Sequence, residues 1–129
     1  MAVEGFSVEV DGDPNRVGAG LGPGDGGGGA GGTVVTVAGD VDLAAADALW
    51  TVLDEQVRPG AAVVIDCSKV AFLDSMGLRA LIRAQQKADA AGARLTLASP
   101  SEAVRRVLQL AGVADLFVLD FSGSGSSGG

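Results

Sequence analysis

Val63-Val64-Ile65-Asp66-Cys67-Ser68-Lys69-Val70-Ala71-Phe72-Leu73-Asp74-Ser75-Met76-Gly77-Leu78 is the stretch on which the reading of this chain turns. The apolar run over 61–66 has the pattern of a central strand covered on both faces. A short connection follows it. A helix is then predicted over 76–91, closed by Gly92 where a left-handed residue ends a helix. Ser75 therefore stands at the positive end of a helix, where a partner can reach its hydroxyl and where added charge would be felt.

The flanking segments extend the pattern. Phe6-Ser7-Val8-Glu9-Val10 alternates as a half-buried strand does. Thr33-Val34-Val35-Thr36-Val37-Ala38 is β-branched and predicts a second strand. Gly39-Asp40-Val41-Asp42 is expected to turn, with Asp42 capping a helix over 43–57. Leu43, Ala46, Trp50, Leu53 and Val57 recur there at helical spacing, and Arg58-Pro59-Gly60 ends it. Arg94-Leu95-Thr96-Leu97-Ala98 predicts a further strand. Ser99-Pro100-Ser101-Glu102 is taken as a capping box with Pro at the first helical position. The helix that follows carries Val104, Val107, Leu108 and Ala111 and stops at Gly112. Leu116-Phe117-Val118-Leu119 is the last strand.

The order is thus β-β-α-β-α-β-α-β. Strand–helix–strand units imply parallel pairing with right-handed crossovers, and the first two strands can pair antiparallel. The fold class is α/β, a small mixed sheet of four to five strands packed with about three main helices. One domain is expected over 1–121. Within it, residues 18–32 hold ten glycines in fifteen positions and are expected to form a flexible insertion. Residues 122–129 form a Gly/Ser tail, expected to be disordered.

Composition narrows the function. The 129 residues contain no His and one Cys. Metal sets and the usual catalytic triads are thereby removed, an intramolecular disulfide is impossible, and Cys67 is expected to be a small buried filler. No cofactor is expected. The net charge of −7 argues against direct nucleic-acid binding. The acid excess lies in residues 1–60, with ten acids against two bases; residues 61–129 hold six against seven. No run approaches a membrane span and no basic-then-apolar leader is visible, so a soluble, cytoplasmic protein is expected.

Asp74 or Ser75 can serve simply as a helix N-cap. Gly77 is unusual in a first helical turn, where it costs roughly 1 kcal/mol against Ala. A missing Cβ there would admit a partner at close range. Ser75, Arg79, Arg83 and Lys87 follow at intervals of four, along one drifting stripe. Arg79, one turn from Ser75, could pair with a phosphate there. Arg83 and Lys87 are expected to line a solvated face.

These residues resemble the STAS domain proteins, specifically the bacterial anti-sigma factor antagonists. The resemblance runs over about 33–120. It rests on Gly39-Asp40-Val41-Asp42 with the Ala-rich first helix, the strand 63–68, Phe72-Leu73-Asp74-Ser75-Met76-Gly77-Leu78, residues 95–99, and Leu110-Ala111-Gly112. It implies a non-enzymatic regulator. An anti-sigma factor that is itself a serine kinase would bind the unmodified chain, releasing a sigma factor, and would phosphorylate Ser75. The phosphorylated form would not bind, and a serine phosphatase would reset it. Asp74, Ser75, Met76, Gly77, Arg79 and Arg83 are the expected partner-binding residues, with Asp40 and Asp42 near the same end of the sheet. Met76 stands where many relatives carry a second Ser or Thr, which leaves one hydroxyl on the turn. The alternative is a STAS-domain partner-binding subunit of a lipid-transport or stress-signalling complex, with Ser75 only a cap. An enzyme using Ser75 ranks below both, because no His is present to act as base.

Overall fold

The computed structural model describes residues 2, 3, 5–11 and 32–121, the first two by their backbone alone. The glycine-rich insertion (apart from Gly32) and the Gly/Ser tail lie outside the described residues. Six strands form one sheet in sequence order: β1 (Ala2–Val3), β2 (Phe6–Asp11), β3 (Gly32–Val41), β4 (Ala62–Leu73), β5 (Arg94–Ala98) and β6 (Val118–Asp120). β1, β2 and β3 pair antiparallel, whereas β3 to β6 pair parallel. Three helices supply the parallel connections: α1 (Leu43–Gln56), α2 (Ser75–Ala91) and α3 (Glu102–Ala111). The mixed α/β architecture agrees with the sequence, with the two-residue β1 added at the edge.

The helices begin and end for local reasons. Asp42 accepts from the Ala45 N–H and caps α1. Gly92 and Gly112 adopt φ of 70° and 72° and close α2 and α3 in the left-handed conformation that glycine tolerates. The start of α3 differs from expectation. Ser101, not Ser99, is the cap, accepting from the Val104 N–H at 3.3 Å. Pro100 therefore precedes the helix, and Glu102 opens it.

Two strands are longer than their sequence suggested, and this positions the site. β4 does not stop at Asp66. Its pairing with β5 ends there, at Asp66–Ala98, but its pairing with β3 continues to Leu73. The predicted turn at 39–42 is likewise the end of β3, aligned as Gly39–Val70, Asp40–Phe72 and Val41–Leu73. Gly39 makes this passage possible. Its φ is +91°, and a Cβ there would collide with the Gly5 carbonyl. Asp40 N–H donates to that same carbonyl at 2.7 Å.

The core lies on one face of the sheet. Val35, Val37, Val63, Ile65, Leu95 and Leu97 are buried together with Leu49 and Leu53 of α1, Leu81 and Ala84 of α2, and Val104 and Leu108 of α3. The alternate residues Ala62, Val64 and Asp66 are only half-buried. The apolar run at 61–66 is thus fully covered on one side alone, against the two-sided expectation. Ala62 and Val64, half-buried on the less covered face, account for its uninterrupted apolar look.

Candidate functional site

The β3–β4 ladder carries both chain segments to one end of the sheet, where α1 and α2 start side by side. Asp74 N–H donates to the Val41 carbonyl at 3.2 Å and ties the two starts together. Asp42 and Asp74 are the two caps, each one residue beyond a paired strand position. The predicted proximity of Asp40 and Asp42 to Ser75 follows from this register. Asp40 is exposed at the end of β3, while Asp42 is occupied in capping.

At the start of α2 the two cap candidates separate. Asp74 is the cap: its Oδ1 accepts from the N–H groups of Met76 and Gly77, each at 2.9 Å. Ser75 is the first residue inside the helix. It is exposed, and its hydroxyl has no hydrogen-bond partner among the described residues. The helix is held without it.

Gly77 requires a correction. It is buried, and a Cβ on it would lie 2.6 Å from the Val41 carbonyl oxygen and 2.7 Å from Leu73 Cδ1 and Val41 Cγ1. Its missing side chain lets α2 seat against β3 and β4. The close approach is internal to the domain and is not made by a partner.

The basic stripe is also not a plain solvated face. The Arg83 guanidinium lies over the Trp50 ring, 4.2 Å from its centroid. Lys87 Nζ bonds the Asp54 carboxylate and its main-chain carbonyl. Both cations reach across to α1. Arg79, in contrast, is exposed and forms no ion pair among the described residues. Met76, Arg79 and Arg83 line a groove of about 280 Å³ between α1 and α2, with Trp50 and Asp47 opposite.

Leu43, Phe72 and Met76 are 65%, 49% and 37% exposed around this turn. Leu43 shares the helical spacing of Ala46 and Leu53, yet as the first residue after the cap of α1 it is exposed to solvent. Neither Leu43 nor Phe72 was singled out as a site residue. Phe72 and Leu73 are adjacent on β4, where only one of them can face inward, but that strand extension is not visible in the local sequence. Phe72 also borders a larger groove, about 550 Å³, formed with Ser101, Glu102 and Arg106 at the start of α3. That groove adjoins the Ser75 turn without containing it.

Cys67 is buried, as expected, and its thiol donates to the Ile65 carbonyl at 3.6 Å. Burial, with a smaller contribution from the Asp66 charge, pushes its pKa up to about 12. No cluster of metal-ligating side chains occurs among the described residues, and no described helix is long and apolar enough to cross a membrane.

No curated protein matches the sequence. Solved structures do. An anti-sigma factor antagonist from Mycobacterium paratuberculosis is 26% identical, with 92% of this chain and 88% of that one aligned at a TM-score of 0.69. SpoIIAA, a Bacillus cell fate determinant solved in its phosphorylated form, is 20% identical over 71% of this chain and 85% of its own, with a TM-score of 0.55. The murine anion transporter Slc26a9 is 22% identical over 65% of this chain and 14% of its own, with a TM-score of 0.57. The last two likenesses speak to the fold alone. The STAS domain profile matches residues 27–124, three quarters of the chain and every element from β3 onward. The chain belongs to the STAS domain family.

Proposed function

We propose that this protein is an anti-sigma factor antagonist, switched by phosphorylation of Ser75. Unmodified, it binds an anti-sigma factor that is also a serine kinase and frees a sigma factor. The kinase transfers the γ-phosphoryl group of ATP to Ser75 Oγ, the hydroxyl proton leaves, and ADP is released. The phosphorylated chain no longer binds until a serine phosphatase removes the group. The role is non-enzymatic and cytoplasmic. Residues 1–121 act as one domain, with 18–32 an insertion and 122–129 a tail.

The observation that carries this reading is the division of duties at the start of α2. Asp74 caps the helix and leaves the Ser75 hydroxyl exposed and unbonded. Exposed Leu43, Phe72 and Met76 around it offer apolar surface of the kind that interface cores use. The likeness to the mycobacterial antagonist over nearly the whole of both chains supports the same reading. A phosphate of about −1.5 to −2 charges placed there would set a charge into that surface.

The test is intact mass before and after incubation with the cognate anti-sigma factor and ATP, for the wild type and Ser75→Ala. One phosphate on the wild type, mapped to Ser75, and none on the variant is expected. Ser75→Asp should bind the anti-sigma factor far more weakly than Ser75→Ala. Equal binding by these two variants would defeat the switch. Stable binding to a transporter subunit, with no phosphate from any kinase, would favour the accessory-subunit alternative.

A further inference from the structure

We propose that the groove between α1 and α2 receives a carboxylate side chain of the anti-sigma factor between Arg79 and Arg83, and that a phosphate on Ser75 competes for Arg79. This rests on the function proposed above and names the chemistry of the partner's contact and of its release.

The groove is locally basic in an acidic chain. Two guanidinium groups line it against the single carboxylate of Asp47, although the chain as a whole carries −7. The two arginines are not equivalent. The Arg83 guanidinium carbon lies 4.2 Å from the Trp50 ring centroid, a cation–π contact that holds the group at the groove while leaving its N–H donors without an ion-pair partner among the described residues. Arg79 has no ion-pair partner among the described residues, whereas Lys87 on the same helix is held by Asp54 and Arg106 on α3 by Glu102. A carboxylate entering here meets one guanidinium held against Trp50 and one with no partner among the described residues. Met76 connects the groove to the Ser75 turn, so one partner surface can cover both.

The competition follows from what surrounds Ser75. The N–H groups of Met76 and Gly77, the natural donors to an anion at this helix start, are already taken by Asp74. A phosphate on Ser75 finds those two donors spent, and Arg79 stands four residues on, the spacing at which side chains on a helix meet. Drawing Arg79 toward the phosphate strips the groove of its unpaired cation.

Trp50 is the only tryptophan in the chain, so 5-fluorotryptophan labelling places a single 19F resonance in the groove. The labelled full-length protein is titrated with the unlabelled cognate anti-sigma factor, and complex formation is followed in parallel by sedimentation. The expected result is a shifted 19F resonance in the complex. Arg79→Gln and Arg83→Gln should each weaken binding about tenfold, the scale of a charge-assisted hydrogen bond at a partly open site. Arg94→Gln, at the opposite end of the sheet, should leave binding unchanged. Phosphorylation should cost Arg79→Gln a smaller fold-change in affinity than it costs the wild type. A complex that forms while the 19F resonance stays put and both arginine variants bind normally overturns the groove proposal and spares the proposed function. Equal phosphorylation penalties in wild type and Arg79→Gln overturn the competition. No complex with any anti-sigma factor overturns both proposals.

Discussion

Gly77→Ala sets two effects of opposite sign against each other. On helix propensity alone, alanine should stabilise the first turn of α2 by up to about 1 kcal/mol. The packing says the reverse. An added Cβ would sit 2.6 Å from the Val41 carbonyl oxygen, where ordinary contact begins near 3.4 Å, so about 0.8 Å must be found. The Leu73 and Val41 methyl groups at 2.7 Å can rotate away in part. The carbonyl cannot, because it belongs to the β3 backbone and accepts from the Asp74 N–H. The start of α2 must lift, which strains the cap as well. Overpacking of this kind costs about 1–3 kcal/mol, and a weakened cap adds up to about 1. After the propensity gain, the net loss should be about 2 kcal/mol. For a domain of this size that is a fall of roughly 10 °C in Tm, measurable by circular dichroism during heating. An unchanged or raised Tm would refute the packing argument. An unchanged Tm with lost partner binding would restore the alternative that Gly77 exists to admit a partner.

The remaining expectations concern the cap, the apolar rim and the buried thiol. Asp74→Ala should cost about 1 kcal/mol in urea unfolding, whereas Asp74→Asn should retain most of the stability, because the capping acceptor survives in the amide. Phe72→Ser and Leu43→Ser should each change stability by less than about 1 kcal/mol, since the two side chains are 49% and 65% exposed, yet weaken anti-sigma factor binding in calorimetry. The Cys67 thiol stays protonated in the native state up to about pH 12, while in the unfolded chain it ionises from about 9.0. Between those values the unfolded state has lost a proton that the native state keeps, so stability falls as pH rises, by at most about 1.4 kcal/mol per unit. Urea unfolding of the wild type and Cys67→Ala between pH 8 and 10.5 should show the extra fall only in the wild type.

Most of the architecture was legible because each helix carries its own signals. Asp42, Gly92 and Gly112 mark ends that the structure keeps, and the strands expected at 6–10 from alternation, at 33–38 from β-branched content and at 94–98 stand there in the sheet. The two departures that position the site share one cause. β3 and β4 both run past the point where local sequence suggests a stop, through Gly39-Asp40-Val41 and Lys69-Val70-Ala71. Neither extension has a strong strand pattern alone; each persists because the other supplies its ladder partners. Pairing of that kind is non-local, and no single window of sequence contains it. The same blindness hid Leu43 and Trp50. Their helical spacing is real, but which part of the apolar stripe is covered depends on where α2 lies, and α2 leaves Leu43 in solvent and sets Arg83 over Trp50.

At the turn itself, adjacency in sequence concealed a separation of roles. Asp74 and Ser75 are both good cap residues, and one serine acting as cap would have tied its oxygen to the backbone. An aspartate does the structural work more strongly, since a carboxylate is favoured at the positive end of a helix and takes two N–H groups here. This has an electrostatic consequence for the switch. A phosphate on Ser75 would gain less from the helix start than at an uncapped one, because Asp74 takes the N–H groups of Met76 and Gly77 and already places a negative charge there. With Arg79 as its one neighbouring cation on the helix, it would remain an incompletely neutralised dianion beside Leu43, Phe72 and Met76. A partner covering that surface would have to desolvate it, and burying an incompletely paired charge costs several kcal/mol. That is enough to reduce affinity by orders of magnitude. The aspartate that frees Ser75 from capping would therefore also be what makes its modification costly for binding.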